Sequence, residues 1–384
     1  MTSKKNIWML DKWYAQSVVG VPYSGTSELW LWGKQEYGSF GLDIGGTIYR
    51  SSPVQLPGAT WQTEFYNNQN QGSHVVMAKT DGTLWSWGKN TDWGQLGHNT
   101  RANNISSPTQ LPGTDWKLGG TTREGSFAIK TDGTLWGWGS NNRGELGQND
   151  RNARSSPTQI PGTTWDKAFG GYNTIIALKT DGELWGIGEG AGGRLGQNSS
   201  MQFSSPVQIP GSWSSASMDG AYGAGAIKTD GTLWMFGYNN SGALGQNNTT
   251  QYSSPVQIPG TWSVFENAGE GAAGRKTDGT LWTWGTNVQG VLGQNQGPSQ
   301  LDMNSSPVQI PGTNWNAISF AYGKGMGTKT DGTLWTWGTN SSGILGLNEP
   351  APSGRSSPTQ VPGTSWDTVG HGGQSVTMYA TKNV

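Results

Sequence analysis

The chain contains no cysteine. Disulfides are therefore excluded, and no thiol is available as a nucleophile or metal ligand. Its three histidines, His74, His98 and His371, sit in separate stretches without His-x-His or His-Glu-x-x-His spacing. That pattern argues against a metal site. Charged residues make up only 13% of the chain, about half the share usual in globular domains. The net charge is −1, so no nucleic-acid partner is expected, since such partners normally need a basic face. The residues also lack an apolar run long enough to cross a bilayer, so membrane insertion is not expected. The apolar run Ile7-Trp-Met-Leu10 is ended by Asp11 and Lys12 and is too short for a signal-peptide core. No Gly-x-Ser-x-Gly elbow is present, and no catalytic constellation can be assembled, so neither enzymatic activity nor a cofactor is expected.

What is abundant is glycine, 62 residues, and tryptophan, 22 residues. Both are ordered by a repeat. A phrase reading Leu-Trp-x-Trp-Gly at its fullest recurs seven times, as in Leu84-Trp85-Ser86-Trp87-Gly88. Its first aromatic falls at Trp30, Trp85, Trp136, Trp185, Trp234, Trp282 and Trp335, at intervals of 55, 51, 49, 49, 48 and 53 residues. A period of this size marks a propeller, solenoid or array.

Each unit reads as four strands, A to D. In the second, A follows Trp61 and B is the extended run His74-Val-Val-Met-Ala-Lys-Thr80. The turn Asp81-Gly82 is a hairpin signal, because both positions tolerate positive φ. Strand C carries Trp85 and Trp87 on one face and Leu84 and Ser86 on the other. Both faces being apolar, the strand is expected between two other sheets. Strand D contains Ser106-Ser-Pro-Thr-Gln-Leu-Pro-Gly113, whose prolines place it at a sheet edge. Lys-Thr-Asp-Gly recurs at Lys79, Lys130, Lys179, Lys228, Lys276 and Lys329. The proline phrase starts at Ser51, Ser106, Ser155, Ser204, Ser253, Ser305 and Ser356, each followed by a tryptophan.

The first unit begins at strand C, and the last overruns into Ser375-Val-Thr-Met-Tyr-Ala-Thr-Lys382, which reads as a strand B. Pairing Val376–Thr381 with Leu29–Trp32 would complete one blade from both ends and remove open sheet edges. The expected fold is all-β: a seven-bladed β-propeller of four-stranded antiparallel blades over residues 27–384, its first blade completed by the C-terminal strands. Residues 1–26 lie outside the repeat as an arm whose Ile7, Trp8, Met9, Trp13 and Tyr14 either pack on the rim or anchor the chain to a neighbour.

These residues carry a resemblance. Trp136-Gly-Trp-Gly-Ser-Asn-Asn-Arg-Gly-Glu-Leu-Gly147 is similar, almost position for position, to the regulator-of-chromosome-condensation repeat. The resemblance covers about residues 27–382 and implies a seven-bladed propeller closed by both termini. It does not imply one function, since that family includes exchange factors, photoreceptors, enzyme inhibitors and virion or surface proteins. The photoreceptors' Gly-Trp-Arg-His-Thr phrase and the exchange factors' basic tail are both missing. The Gly188-Glu-Gly-Ala-Gly-Gly193 run fits Gly-x-Gly-x-x-Gly, but it aligns with Gly139-Ser-Asn-Asn-Arg-Gly144 of the preceding unit. With no helix expected after it, a dinucleotide site is rejected.

Antiparallel connectivity puts loops A–B and C–D on one face of the ring and loops B–C and D–A on the other. The second face is nearly uniform, built from Thr-Asp-Gly-Thr and Pro-Gly-Thr. The first differs in every unit, and loops on a rigid scaffold usually carry recognition. The candidate binding residues there are Tyr66, Trp93, Tyr172, Phe203, Tyr222, Tyr252 and Tyr322. The reading is a non-enzymatic structural or binding protein, a phage virion component of tail or capsid surface, docking other virion or surface proteins, a host-surface receptor or a glycan. The alternatives are a free protein-binding inhibitor or adhesin, and a carbohydrate-binding propeller, extracellular or cytoplasmic.

Overall fold

The computed structural model describes residues 27–58, 60–62, 73–90, 92–218, 223–297, 299, 301–321, 323–349, 354–372 and 377–383. The arm residues Ile7, Trp8, Met9, Trp13 and Tyr14 lie outside the described residues, as do Tyr66, Tyr222 and Tyr322.

Seven antiparallel sheets form the blades. Blade 3 is representative, with A Trp116–Thr121, B Gly125–Lys130, C Leu135–Gly139 and D Arg154–Ile160. A strands of adjacent blades touch one another, so they ring the central axis and the D strands form the rim. The prolines of strand D thus lie on an edge that needs no ladder donor. In blade 2 the described part has three strands, and Trp61 is bridged to Lys79 where the fourth would run.

Blade 1 is shared by the two ends of the repeat region. Strand B, Thr377–Asn383, pairs on one side with strand A, Trp366–Gly372, and on the other with strand C, Ser27–Gln35. The register matches Leu29 with Thr381, Leu31 with Tyr379 and Trp32 with Met378. Ring closure by head and tail is therefore as expected, except that Val376 lies outside the described residues.

The blades are joined by contacts repeated around the ring. In strand C the tryptophan face and the leucine face separate as period two requires. Trp87 packs with Leu31 and Leu56 of blade 1, while Leu84 packs with Trp116 and Trp138 of blade 3. The second tryptophan's indole N–H then crosses to the preceding blade. Trp32, Trp87, Trp138, Trp284 and Trp337 donate to the carbonyls of Ile344, Ser39, Gln95, Ala243 and Val291 at 2.7–3.0 Å. Blades 4 and 5 have Ile187 and Phe236 in that place, which supply packing without the hydrogen bond.

A second contact explains why Gly-x-Leu-Gly-Gln-Asn and Ser-Ser-Pro recur together. Asp43, Asn99, Asn149, Asn198, Asn247, Asn295 and Asn348 all adopt left-handed φ of 53° to 57°. Asn and Asp tolerate that conformation better than other side-chain-bearing residues. It aims each backbone N–H at the next blade's D strand, where the carbonyl of Ser106, Ser155, Ser204, Ser253, Ser305, Ser356 or Ser51 accepts it at 2.7–3.0 Å. Several of the side chains also accept from the serine hydroxyls, as Asp43 does from Ser106 and Ser107. The glycine opening each loop has to be glycine. At Gly343, with φ +70°, a Cβ would stand 2.7 Å from the Ser51 Cα.

The third contact lies on the opposite face. Backbone N–H groups of Trp116, Trp165, Trp213, Trp262, Trp315 and Trp366 donate to the turn glycine carbonyl of the preceding blade at 2.8–3.2 Å. Within each blade, the lysine ending strand B lies over both the A-strand tryptophan and the first C-strand tryptophan. All seven such pairs of rings have the ammonium 3.8–5.6 Å from their centroids. Lys382 completes the seventh, over Trp366 and Trp30. Each cation–π contact contributes about 0.5–2 kcal/mol, depending on how dry it is.

Replacing Gly343 by Ala should lower stability by about 2–4 kcal/mol, from strained φ and a backbone clash at the closing seam. Gly45, which has open space around its Cβ position, should tolerate Ala within about 0.5 kcal/mol. Chemical denaturation of the two variants checks the contrast, and equal losses would contradict the account of the seam.

Candidate functional site: the loop face

The two faces of the ring differ in how completely they satisfy themselves. On the uniform face, each turn carboxylate is used locally. Asp81 Oδ1 accepts from the Thr83 hydroxyl at 2.6 Å and its N–H at 3.0 Å, and Thr83 Oγ1 accepts from the Trp85 indole at 2.8 Å. The same triplet recurs at Asp132, Asp230, Asp278 and Asp331. The threonine hydroxyl, chiefly, holds these five carboxyls below the ordinary aspartate range. These groups are committed to the turn and offer a partner little.

On the other face the base of each C–D loop is rigid and its tip varies. Buried Asn90, Asn141, Asn239, Asn287 and Asn340 accept from the N–H of Leu96, Leu146, Leu244, Leu292 and Leu345 at 2.8–3.2 Å. Four of them also donate back to loop carbonyls. Beyond this base the chemistry is different in each blade. Arg123 of blade 3 stacks 4.1 Å from the Tyr172 ring of blade 4 and donates to its hydroxyl. Glu189 of blade 4 lies 4.0 Å from Arg143 of blade 3 and 3.6 Å from its own blade's Arg194. Arg194 in turn lies over Tyr238 of blade 5 at 5.7 Å. Glu145 is buried, and burial raises its carboxyl above the usual range, opposed by donors from the Arg143 backbone and Ser140.

Among the expected binding residues, four are described, and they do not converge. Trp93 is half-buried in the C–D loop of blade 2. Tyr172 lies between strands A and B of blade 4, under Arg123. Phe203 and Tyr252 open the D strands of blades 4 and 5, opposite Gly188 and Gly237, and so sit toward the rim. The Tyr252 hydroxyl accepts from Asn248 at 3.2 Å, tying it to its own loop. Sequence reasoning missed the arginines around Tyr172. Their signal was present, because six of the nine arginines fall between positions 101 and 194.

Two buried histidines occupy seams near this face. His74 Nε2 lies 3.1 Å from the Gly125 carbonyl and 3.0 Å from Ser126 Oγ of blade 3. His371 Nδ1 bonds Ser319 Oγ across the seam between blades 1 and 7, and its buried Nε2 has no hydrogen-bond partner among the described residues. Its charged neighbour is the buried Lys324. With no carboxylate orienting the ring and both Ser319 and His371 about 95% buried (5% and 4% exposed), the pair is not arranged as an accessible nucleophile and base. No group of three or more metal-binding side chains occurs among the described residues.

A rim groove of about 330 Å3 lies between blades 4 and 5, lined by Gln197, Asn198, Pro210, Trp213, Lys228 and Trp234. Its polar groups are engaged: Gln197 Nε2 donates to the carbonyls of Leu195 and Gln208 at 3.1 and 2.8 Å. Lys228 covers both rings. The groove is thus largely a by-product of the repeat.

The architecture is that of a closed seven-bladed propeller with one self-satisfied face and one diverging face. The chain carries regulator-of-chromosome-condensation (RCC1) repeats, which that family's model matches at residues 81–116, 132–178, 230–265 and 331–376. The human WBSCR16 structure aligns with a TM-score of 0.76 at 20% identity, covering 94% of this chain and 99% of that one. Prp20p of Saccharomyces cerevisiae, which binds Gsp1p and histones, aligns with a TM-score of 0.77 at 16% identity, covering 94% of this chain and 92% of that one. Those likenesses show the fold. In sequence, the zebrafish (Danio rerio) RCC2 homolog is 29% identical over 32% of this chain and 21% of its own length. The Arabidopsis thaliana ultraviolet-B receptor UVR8 is 28% identical over 36% of this chain and 31% of its own length. The chain thus spans less than a third of either relative in these matches.

The buried titratable groups set a pH dependence. Burial pushes His74 down to about 4 and His371 down to about 3. Both are lowered relative to the unfolded chain, so the unfolded state takes up protons first as pH falls. The stability the two histidines contribute is full above their ordinary value of about 6.5 and declines toward pH 4. His74 alone accounts for about 3 kcal/mol of that decline. Burial also lowers Lys324 to about 7, so stability should keep rising between pH 7 and 10. Melting temperature measured against pH should climb across the whole range. His74→Gln should reduce the slope between pH 6.5 and 4 by about half, His371 supplying the remainder, and an unchanged slope there would exclude His74 as a source.

Proposed function

We propose that the chain is a non-enzymatic binding propeller that docks a protein partner through its A–B and C–D loop face. The observation that carries this reading is the asymmetry of the two faces. Thr-Asp-Gly turns consume their own donors and acceptors, whereas the C–D tips diverge on a rigid asparagine-braced base. A rigid base lowers the ordering cost of binding, and half-buried Trp93 and Tyr172 supply the kind of side chain that anchors interfaces.

The finer setting we infer is the surface of a phage particle, on its tail or capsid. Its support is the near-copy repeats with one divergent side and a family resemblance that extends to virion proteins. A protein inventory of purified particles tests this setting, and absence of the chain from them would overturn it. Protein docking is favoured over glycan binding, because the groove that could stack a sugar has its rings covered by Lys228.

Hydroxyl-radical footprinting of the chain in its native assembly should show protection of the C–D loops and leave the Thr-Asp-Gly turns labelled. Trp93→Ala and Tyr172→Ala should each weaken association about tenfold, while Asp132→Asn should not. Protection confined to the Thr-Asp-Gly rim would overturn the choice of working surface.

A further inference from the structure

Arginine is distributed unevenly over this charge-poor molecule. Arg101, Arg123, Arg143, Arg151, Arg154 and Arg194 all belong to the loop face of blades 2 to 4. They form a connected arc. Arg101 of blade 2 donates to the Ala153 carbonyl in the C–D loop of blade 3 at 3.4 Å. Arg154 is held on the same loop by Asp150 at 2.8 Å. Arg123 and Arg143 then bridge from blade 3 to Tyr172 and Glu189 of blade 4, and Arg194 carries the line to Tyr238 of blade 5. The remaining three arginines lie in other blades: Arg50 and Arg355 in the D strands of blades 1 and 7, at the register Arg154 has in blade 3, and Arg275 in the B strand of blade 6.

Within the arc, the groups fall into two sets. Arg194 is buried and Arg123 and Arg154 half-buried, each fixed by an aromatic ring or a carboxylate. Arg101, Arg143 and Arg151 are exposed. Among the described residues, the Arg101 side chain meets a backbone carbonyl, that of Arg143 the edge of Glu189, and that of Arg151 no carboxylate. Guanidinium groups with unfilled donors recognise carboxylates in planar, paired geometry.

We propose that this arc binds an acidic protein segment, whose Asp and Glu carboxylates are taken by Arg101, Arg143 and Arg151. This rests on the loop-face reading above and narrows it to one side of the face. A protein is favoured over a nucleic acid by the carboxylates between the arginines. Glu124, Asp150 and Glu189 lie within the arc, where they would repel an unbroken phosphate backbone. A peptide with spaced carboxylates can step past them.

The test uses fluorescence anisotropy with a labelled peptide of alternating Glu and Gly, and single-stranded DNA of equal charge as competitor. The wild-type chain should bind the peptide, more weakly at higher salt, and the DNA should compete poorly. The variant R101E/R143E/R151E should bind at least about tenfold more weakly, in keeping with loss of three charge contacts. The milder R101A/R151A should give an intermediate loss, and its unchanged melting temperature separates lost binding from lost folding. No peptide binding by the wild type, equal binding by the variants, or DNA binding as tight as the peptide would each overturn the proposal. If footprinting protects the loop face while these variants keep their native partner, the arc fails and the broader reading stands. If the Thr-Asp-Gly rim is protected instead, the broader reading fails by itself.

Discussion

The left-handed clasp between adjacent blades is the constraint on which this structure depends. One residue per blade, Asn in six cases and Asp43 in the seventh, takes positive φ and delivers its N–H to the serine carbonyl of the next D strand. The glycine five residues earlier lets the loop lie directly on that serine. Neither motif is useful alone. A blade's two faces are both apolar, so an isolated blade would expose one of them, and the clasp fixes the angle at which the next blade covers it. Because Asn348 reaches Ser51 in the same way as Asn149 reaches Ser204, the last seam is chemically the same as the interior ones.

The scarcity of charge follows from how the remaining charge is used. Lysines ending strand B do not primarily form ion pairs. They lie over two tryptophans per blade, their stems on apolar surface and their ammonium groups near the edge of solvent. Among the described residues, only Lys130 and Lys179 also form an ion pair, with Asp115 and Glu183 at 3.1 and 2.7 Å. Surface ion pairs in water contribute about 0–1 kcal/mol, so a ring built on tryptophan area and shared carbonyls loses little by having few of them. The seams are less tolerant of acid than of salt, since it is buried neutral His74 and His371 that cross them.

Much of this was legible in the residues. Period two in Leu84–Gly88 separated the two packing faces, the Asp-Gly pairs gave the hairpins, and the overrunning Ser375–Lys382 indicated which strand closes blade 1. What could not be read was contact between motifs some fifty residues apart. Nothing local in Gln148-Asn149 says that the asparagine is left-handed or that its N–H meets Ser204. The lysine cages were equally hidden, because Lys79 and Trp61 are joined only once strands A and B pair. The aromatic candidates that are described occupy different places in the ring. Phe203 and Tyr252 share one structural position on the rim, whereas Tyr172 lies near the axis and is held by an arginine that the aromatic search passed over.

Divergence is confined to one face for a geometric reason. The B–C and D–A connections meet each other across six of the seven seams, with the tryptophan N–H of one blade on the turn glycine of its neighbour. A change in either must be matched by its partner, so drift there is costly. The C–D connection is constrained only at its ends, by the buried asparagine before the clasp and by the D-strand serines after it. Between those points, residues such as Arg151 or Met201 touch solvent and can vary without disturbing a seam. The same freedom would produce idle variation in a ring with nothing to bind. The concentration of arginine in three neighbouring blades, fixed from beneath by Tyr172, Asp150 and Glu189, is what idle variation does not account for. Guanidinium groups in a chain this poor in charge are a local excess, and the braced Arg123, Arg154 and Arg194 share one side of the loop face with the exposed Arg101, Arg143 and Arg151, which concentrates positive charge as recognition of a partner of opposite charge requires.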